Sequence, residues 1–292
     1  MGYDKPTDDL LHLNTWLNAE TNYHKQDADG MLPGFKTNGW GGTVGVHLNQ
    51  NDGSAMGLAL TAMYNDIETD SPDRLKGDMD SLYLSALVQL NSGAWRHTFV
   101  GSVGSSTVDT KRTVDYGTGS YTANGSTNGL SFGMLYEVGY AVPMSNEGTT
   151  ILQPIFNIAW RYSQLDAYTE TGTNAALRVA EQTHNSVILG AGARVQSVVG
   201  ADTWNHAGIL EARALAKANL GDRRGEADVA LAAAGLQNAT VKSSSLSVLS
   251  VELGVGVTIP LAVGNDIFVD FSADISSNHT NLNATVGYKV AF

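Results

Sequence analysis

Eight ionisable residues sit in the middle of otherwise apolar, alternating segments: Glu137, Arg161, Arg194, Glu211, Arg213, Glu252, Asp270 and Lys289. In each segment the charge falls on the face opposite the apolar side chains. Carboxylates and cations so placed can pair with one another, grip a charged segment or hydrate a passage. The companions of catalysis are missing. No Gly-x-Ser-x-Gly pentapeptide presents a nucleophile, the seven His are scattered without a His-Glu-x-x-His spacing, and the Gly-rich stretch 39–45 lacks the Lys-Ser/Thr of a phosphate loop. The absence of Cys rules out disulfides, thiolate metal sites and a Cys nucleophile. No catalytic, cofactor-binding or metal residue is therefore assigned, no cofactor is expected, and the chain is expected not to be an enzyme.

The segments that carry these charges alternate with period two, the signature of strands. In the last of them Leu282, Ala284, Val286, Tyr288, Val290 and Phe292 share one face, and Asn281, Asn283, Thr285, Gly287, Lys289 and Ala291 share the other. The same two-faced pattern recurs at 16–25, 40–49, 55–67, 80–90, 95–107, 130–142, 152–162, 185–199, 207–220, 249–259 and 267–275. Twelve strands result. Short turns at 91–93, 143–148 and 263–265 alternate with longer polar stretches at 66–78, 109–128, 166–183 and 221–245. Trp16, Tyr23, Trp40, Tyr64, Trp95, Tyr140, Trp160, Tyr162 and Trp204 stand near strand ends, where an interfacial girdle would place them.

Composition fits that reading. A mean hydropathy of −0.11 leaves no run of roughly 18 apolar residues for a spanning helix. Lipid-facing and lumen-facing side chains of a barrel cancel in such an average. The 32 Gly suit bends and a crowded barrel interior, and a formal charge of −12 argues against nucleic acid as a partner. A soluble sandwich also alternates, but its faces run for about five residues rather than about ten. The expected fold is all-β: a 12-stranded antiparallel transmembrane β-barrel in the outer membrane of a Gram-negative bacterium. Closure demands that the two chain ends pair in one sheet, with the last strand between the one at 267–275 and the one around Trp16.

Several motifs, taken in order, resemble the C-terminal translocator domain of type Va autotransporters. They are the Trp-bearing opening Asn14-Thr15-Trp16-Leu17, the Gly-rich second strand Gly39-Trp40-Gly41-Gly42-Thr43-Val44-Gly45, and the third-strand Gly57-Leu58-Ala59-Leu60. The loop Leu165-Asp166-Ala167-Tyr168-Thr169-Glu170-Thr171-Gly172 and the terminal aromatic complete the set. The resemblance implies export and anchoring of an N-terminal passenger (type V secretion), with passenger folding outside and the barrel-assembly machinery as driving forces. It also implies that Val286, Tyr288, Val290 and Phe292 form the assembly signal and that a linker helix lies in the pore. Residues 1–13 are expected to be a remnant of that linker, at most a helix stub begun by Thr7, Asp8 and Asp9, and residues 14–292 the barrel. The polar start without a signal peptide reads as a fragment of a longer protein, with Met1 an added start. Self-cleavage at an Asn pair, used by some members, is not expected because no Asn-Asn occurs. The expected partners are outer-membrane lipid, the assembly machinery, and the passenger with its linker, the barrel itself being a monomer. The alternative is a free-standing porin or adhesin-like barrel acting through its long loops.

Overall fold

A computed structural model describes residues 12–50, 52–69, 75–115, 117, 119–144, 149–200, 207–233, 239–262 and 264–291. Twelve antiparallel staves form the barrel: β1 (His12–Gln26), β2 (Phe35–Asn49), β3 (Ala55–Thr69), β4 (Leu75–Ser92), β5 (Trp95–Asp115) and β6 (Ser120–Tyr140), then β7 (Thr150–Leu165), β8 (Gln182–Val199), β9 (Gly208–Gly221), β10 (Leu249–Ala262), β11 (Asn265–Ser276) and β12 (His279–Ala291). Each stave pairs with its sequence neighbours, and β1 pairs with β12 from Asn14 opposite Ala291 to Gln26 opposite His279. The sheet is sealed, so no stave leaves its backbone polar groups unpaired toward lipid.

Alternation decides which side chains face out. On β4, Leu82, Leu84, Val88 and Leu90 are all exposed, while Ser81, Tyr83, Ser85 and Leu87 point inward. Leu17, Val44, Leu58, Phe99, Met134, Phe156, Leu253, Phe271 and Val286 extend the apolar belt around the circumference. A continuous apolar surface of this kind is stable only against hydrocarbon. Aromatics border it. Trp95 packs on Tyr140 at the short-turn end (4.9 Å between ring centroids), and Trp40 on Tyr64 at the long-loop end (5.8 Å).

Trp16 does not join that border. It faces the interior above its cross-strand partner Gly45, whose hypothetical Cβ would lie 2.5 Å from the indole ring. The large inward ring and the missing side chain opposite are complementary, which fixes the β1–β2 register. Trp204 lies outside the described residues, as do residues 1–11 and Phe292. Stave β1 takes in His12 and Leu13, which the sequence pattern left to the linker segment.

The staves also run further than the apolar pattern at the long-loop end. β5 and β6 continue as a paired ribbon to Asp115 opposite Ser120, through residues expected to be loop. Thr, Val and Tyr in that ribbon favour strands, but neither of its faces meets lipid, so the sequence shows no apolar alternation. Beyond the barrel, Tyr168–Thr169, Leu177–Val179, Glu226–Leu231 and Ala239–Lys242 form a separate four-stranded sheet from two of the long loops. That sheet is tied to the ribbon by Arg112, which donates to both Glu170 carboxylate oxygens (3.1 and 2.5 Å) and to the Ala175 carbonyl (3.0 Å). Glu170 is buried, and the Leu177 N–H donates to it as well (2.9 Å). Tyr168 packs over Gly125 of the ribbon, and burial raises its phenol pKa.

Candidate translocation lumen

The interior of the barrel divides into two walls. Along β1–β5 the inward side chains are mostly small, uncharged or aromatic: Trp16, Thr43, Gly57, Thr61, Tyr83 and Ser102, with Glu20 among them, line a cavity of about 920 Å³. Along β6–β12 the inward positions carry most of the charges. They form one ladder of ion pairs that climbs the wall obliquely.

Arg194 on β8 begins it, lying 3.0 Å from Glu137 on β6 and 3.2 Å from Glu211 on β9. Glu211 is 3.5 Å from Arg213. Arg213 holds Asp270 on β11 through both terminal nitrogens (2.7 and 2.9 Å) and Glu252 on β10 through Nε (3.1 Å). Lys217, two periods of the alternation further along β9, pairs with Glu252 and with Asp274 (2.9 Å). All these groups are half-buried, in a setting where each charge needs a partner but water still reaches it. Glycine makes the packing possible. A Cβ on Gly254 would lie 2.5 Å from the Arg213 guanidinium carbon, so only a bare backbone lets that side chain lie across β10.

Of the eight charges singled out from sequence, Glu137, Arg194, Glu211, Arg213, Glu252 and Asp270 belong to this ladder. Lys289 lies apart, paired with Asp266 (2.6 Å). Arg161 also lies apart, exposed on the inner face of β7 between two cavities of about 440 and 470 Å³. Sequence reasoning passed over Lys217 and Asp274 as members, although the same alternation places them on the inner face. It also passed over Arg96 and Gln153. The Gln153 amide oxygen accepts from both Arg96 (2.6 Å) and Arg194 (3.2 Å), which extends the ladder toward the short-turn end.

At the other end a Ser, a His and an Asp stand in line. Ser276 Oγ is 2.7 Å from His279 Nδ1, and His279 Nε2 is 3.6 Å from Asp274 Oδ1. The Ser276 oxygen also accepts the backbone N–H of Asn278 (3.3 Å) and of His279 (3.0 Å). Two backbone donors on the hydroxyl make it a cap for the β11–β12 turn.

A sealed antiparallel barrel with an apolar belt outside, charges inside, short turns at one end and long loops at the other is an outer-membrane barrel. The family model described as Autotransporter beta-domain matches residues 15–274, and the chain belongs to that family. It is an outer-membrane translocator domain that exports a passenger. Its fold is similar to the translocator domain of the autotransporter NalP from Neisseria meningitidis (17% identity, 98% of this chain and 90% of that chain covered, TM-score 0.77). It is also similar to the transport unit of the autotransporter AIDA-I from Escherichia coli (12% identity, 100% and 93% covered, TM-score 0.64). A third likeness is to the β-domain of the Bordetella autotransporter BrkA (16% identity, 96% and 99% covered, TM-score 0.60). No curated protein shows significant sequence similarity to the chain.

Proposed function

We propose that the passenger travels through the lumen between the two walls and that the charged wall keeps this route hydrated. The observation that carries the proposal is the ladder itself. Its four cations, Arg96, Arg194, Arg213 and Lys217, interleave with five carboxylates, Glu137, Glu211, Glu252, Asp270 and Asp274, so the wall offers water and an excess of only one negative charge to a passing chain. An extended chain of either charge sign then meets no deep trap. The largely uncharged wall of β1–β5 offers the complementary surface, against which a linker segment can rest. Neutralising Arg194 and Glu137 together preserves that balance and should leave passenger surface display unchanged. Neutralising Arg194 alone leaves an unmatched carboxylate and should slow display of acidic passengers selectively. Equal slowing of acidic and basic passengers would overturn the reading.

The barrel's partners in this proposal are outer-membrane lipid on the apolar belt and the barrel-assembly machinery on the terminal stave. Val286, Tyr288 and Val290 lie on the outer face of β12, with Val286 well exposed, and Phe292 continues their parity. An alternating apolar edge ending in an aromatic residue is an extended motif of the type recognised by strand addition. Deleting Phe292, or replacing Tyr288 and Val290 by Ser, should reduce assembly in cells. Undiminished assembly of both variants would exclude the signal.

A further inference from the structure

Residues 243–247, Ser-Ser-Ser-Leu-Ser, connect the small outer sheet to β10 and lie against the long-loop mouth of the lumen. They are short, polar and in no regular element, yet Ser244 is only 2% exposed. Their one apolar side chain, Leu246, lines the 440 Å³ lumen cavity together with Tyr83, Ser102, Arg161, His184 and Asn219. Those residues stand on staves from β4 round to β9, so Leu246 reaches in from the rim over the lumen. A loop with no business inside would leave Leu246 and its serines in water.

Backbone and side-chain hydrogen bonds hold the segment in place from two sides. On one side the Ser243 N–H donates to the Gly225 carbonyl (2.9 Å), the Leu246 N–H to the Arg223 carbonyl (2.6 Å), and Asn219 Nδ2 to the Ser247 carbonyl (3.1 Å). On the other side Asn278 makes two of the hydrogen bonds, and the Ser277 hydroxyl adds a longer one to Ser247 Oγ (3.4 Å). Asn278, in the β11–β12 turn, accepts the Ser247 N–H on its amide oxygen (3.0 Å) and donates from its amide nitrogen to the Ser245 carbonyl (2.6 Å). The Asn278 carbonyl accepts the Asp27 N–H (2.9 Å), which joins the β1–β2 connection to the same point. The grip is incomplete in one respect: the buried Ser244 Oγ has no hydrogen-bond partner. Opening to water would satisfy that hydroxyl, so the closed position is held by the latch and opposed by its own strap.

We propose that residues 243–247 are a strap that closes the outer mouth of the lumen, with the Asn278 side chain as its latch. The strap must leave for a chain to pass and can return afterwards. Closure from outside by the barrel's own loop does not depend on any segment lying in the pore.

The chain has no Cys, so one engineered thiol reports on the lumen without background. Ser131→Cys places it on the inner wall of the same cavity. Labelling by a bulky, membrane-impermeant maleimide added to intact cells then reads the opening of the outer mouth, in barrels whose folding is verified by heat-modifiable gel mobility. Adding Asn278→Ala removes its two hydrogen bonds to the strap and should raise the labelling rate about ten-fold. Because Asn278 also supports a turn, Leu246→Gly serves as the second variant: it deletes only the covering side chain and leaves the strap's backbone bonds available. It too should speed labelling. Unchanged rates in both variants would overturn the strap. The readout needs no passenger, so that failure would leave the export reading standing.

Discussion

Asn14 and Ala291, from opposite ends of the described chain, are direct cross-strand partners on the inner face of the seam between β1 and β12. This pairing turns a twelve-stranded ribbon into a closed wall. Without it two edges of unsatisfied N–H and C=O groups would face hydrocarbon, at a cost of several kcal/mol per group. The pairing can be read covalently. An N14C/A291C variant should form an intramolecular disulfide on mild oxidation, because antiparallel partners lie within the reach of a disulfide. T15C/A291C should not, since Thr15 points to the other face. Reduced and oxidised forms separate by gel mobility after denaturation.

Arg213 is joined to three lumen carboxylates, Asp270, Glu252 and Glu211. Replacing it by Ala strands Asp270 and leaves Glu211 and Glu252 only Arg194 and Lys217 as partners, and in a wet, half-buried setting the expected loss is about 1–3 kcal/mol. The D270N variant alone should cost less, since Glu252 and Glu211 remain for Arg213. Unfolding midpoints in urea, measured in detergent or bilayers, give the comparison, and a double-mutant cycle between Arg213 and Asp270 isolates the pair.

Two glycines, one on β2 and one on β5, should respond differently to one added methyl group. Gly45→Ala pushes a Cβ into the Trp16 ring, which must leave its seat against β2, and should destabilise the barrel by about 1–3 kcal/mol. Gly101→Ala meets nothing within 4 Å and should stay within about 0.5 kcal/mol of the parent. Equal effects would mean that Trp16 does not rest on Gly45.

The Arg112–Glu170 pair anchors the loop of residues 166–181 to the β5–β6 ribbon, outside the membrane. Glu170→Ala leaves Arg112 and the Leu177 N–H without their acceptor, a local loss of about 3 kcal/mol at a buried site. That loop should become susceptible to added protease on intact cells while the barrel keeps its heat-modifiable mobility. Resistance equal to the parent's would show that the loop is held by its backbone bridge to Asn124 instead.

The staves were legible in the sequence wherever one of their faces meets lipid. On β4, β10 and β12 that face must be apolar throughout, and period two follows from it. The pattern stops at the membrane boundary, so the polar ribbon through Lys111, Thr122 and Asn124 read as loop although it is paired. Trp16 misled for a related reason: its position near a strand end matched a girdle, while the deciding fact, a Gly directly opposite on β2, depends on register. The lumen charges were legible as a set because a charge on the lipid face is costly. Their connectivity was not. Arg213 reaches Asp270 across an entire stave because Gly254 lies between them, and that depends on sheet curvature and shear as well as on alternation.

The central claim is that this sealed barrel carries a passenger across the outer membrane. The direct test fuses a signal peptide and an epitope-tagged passenger ahead of residue 1 and follows the tag on intact cells. With the barrel folded, the tag should be stained by external antibody and removed by external protease. A tag that stays in the periplasm while the barrel is fully assembled in the outer membrane would contradict the account.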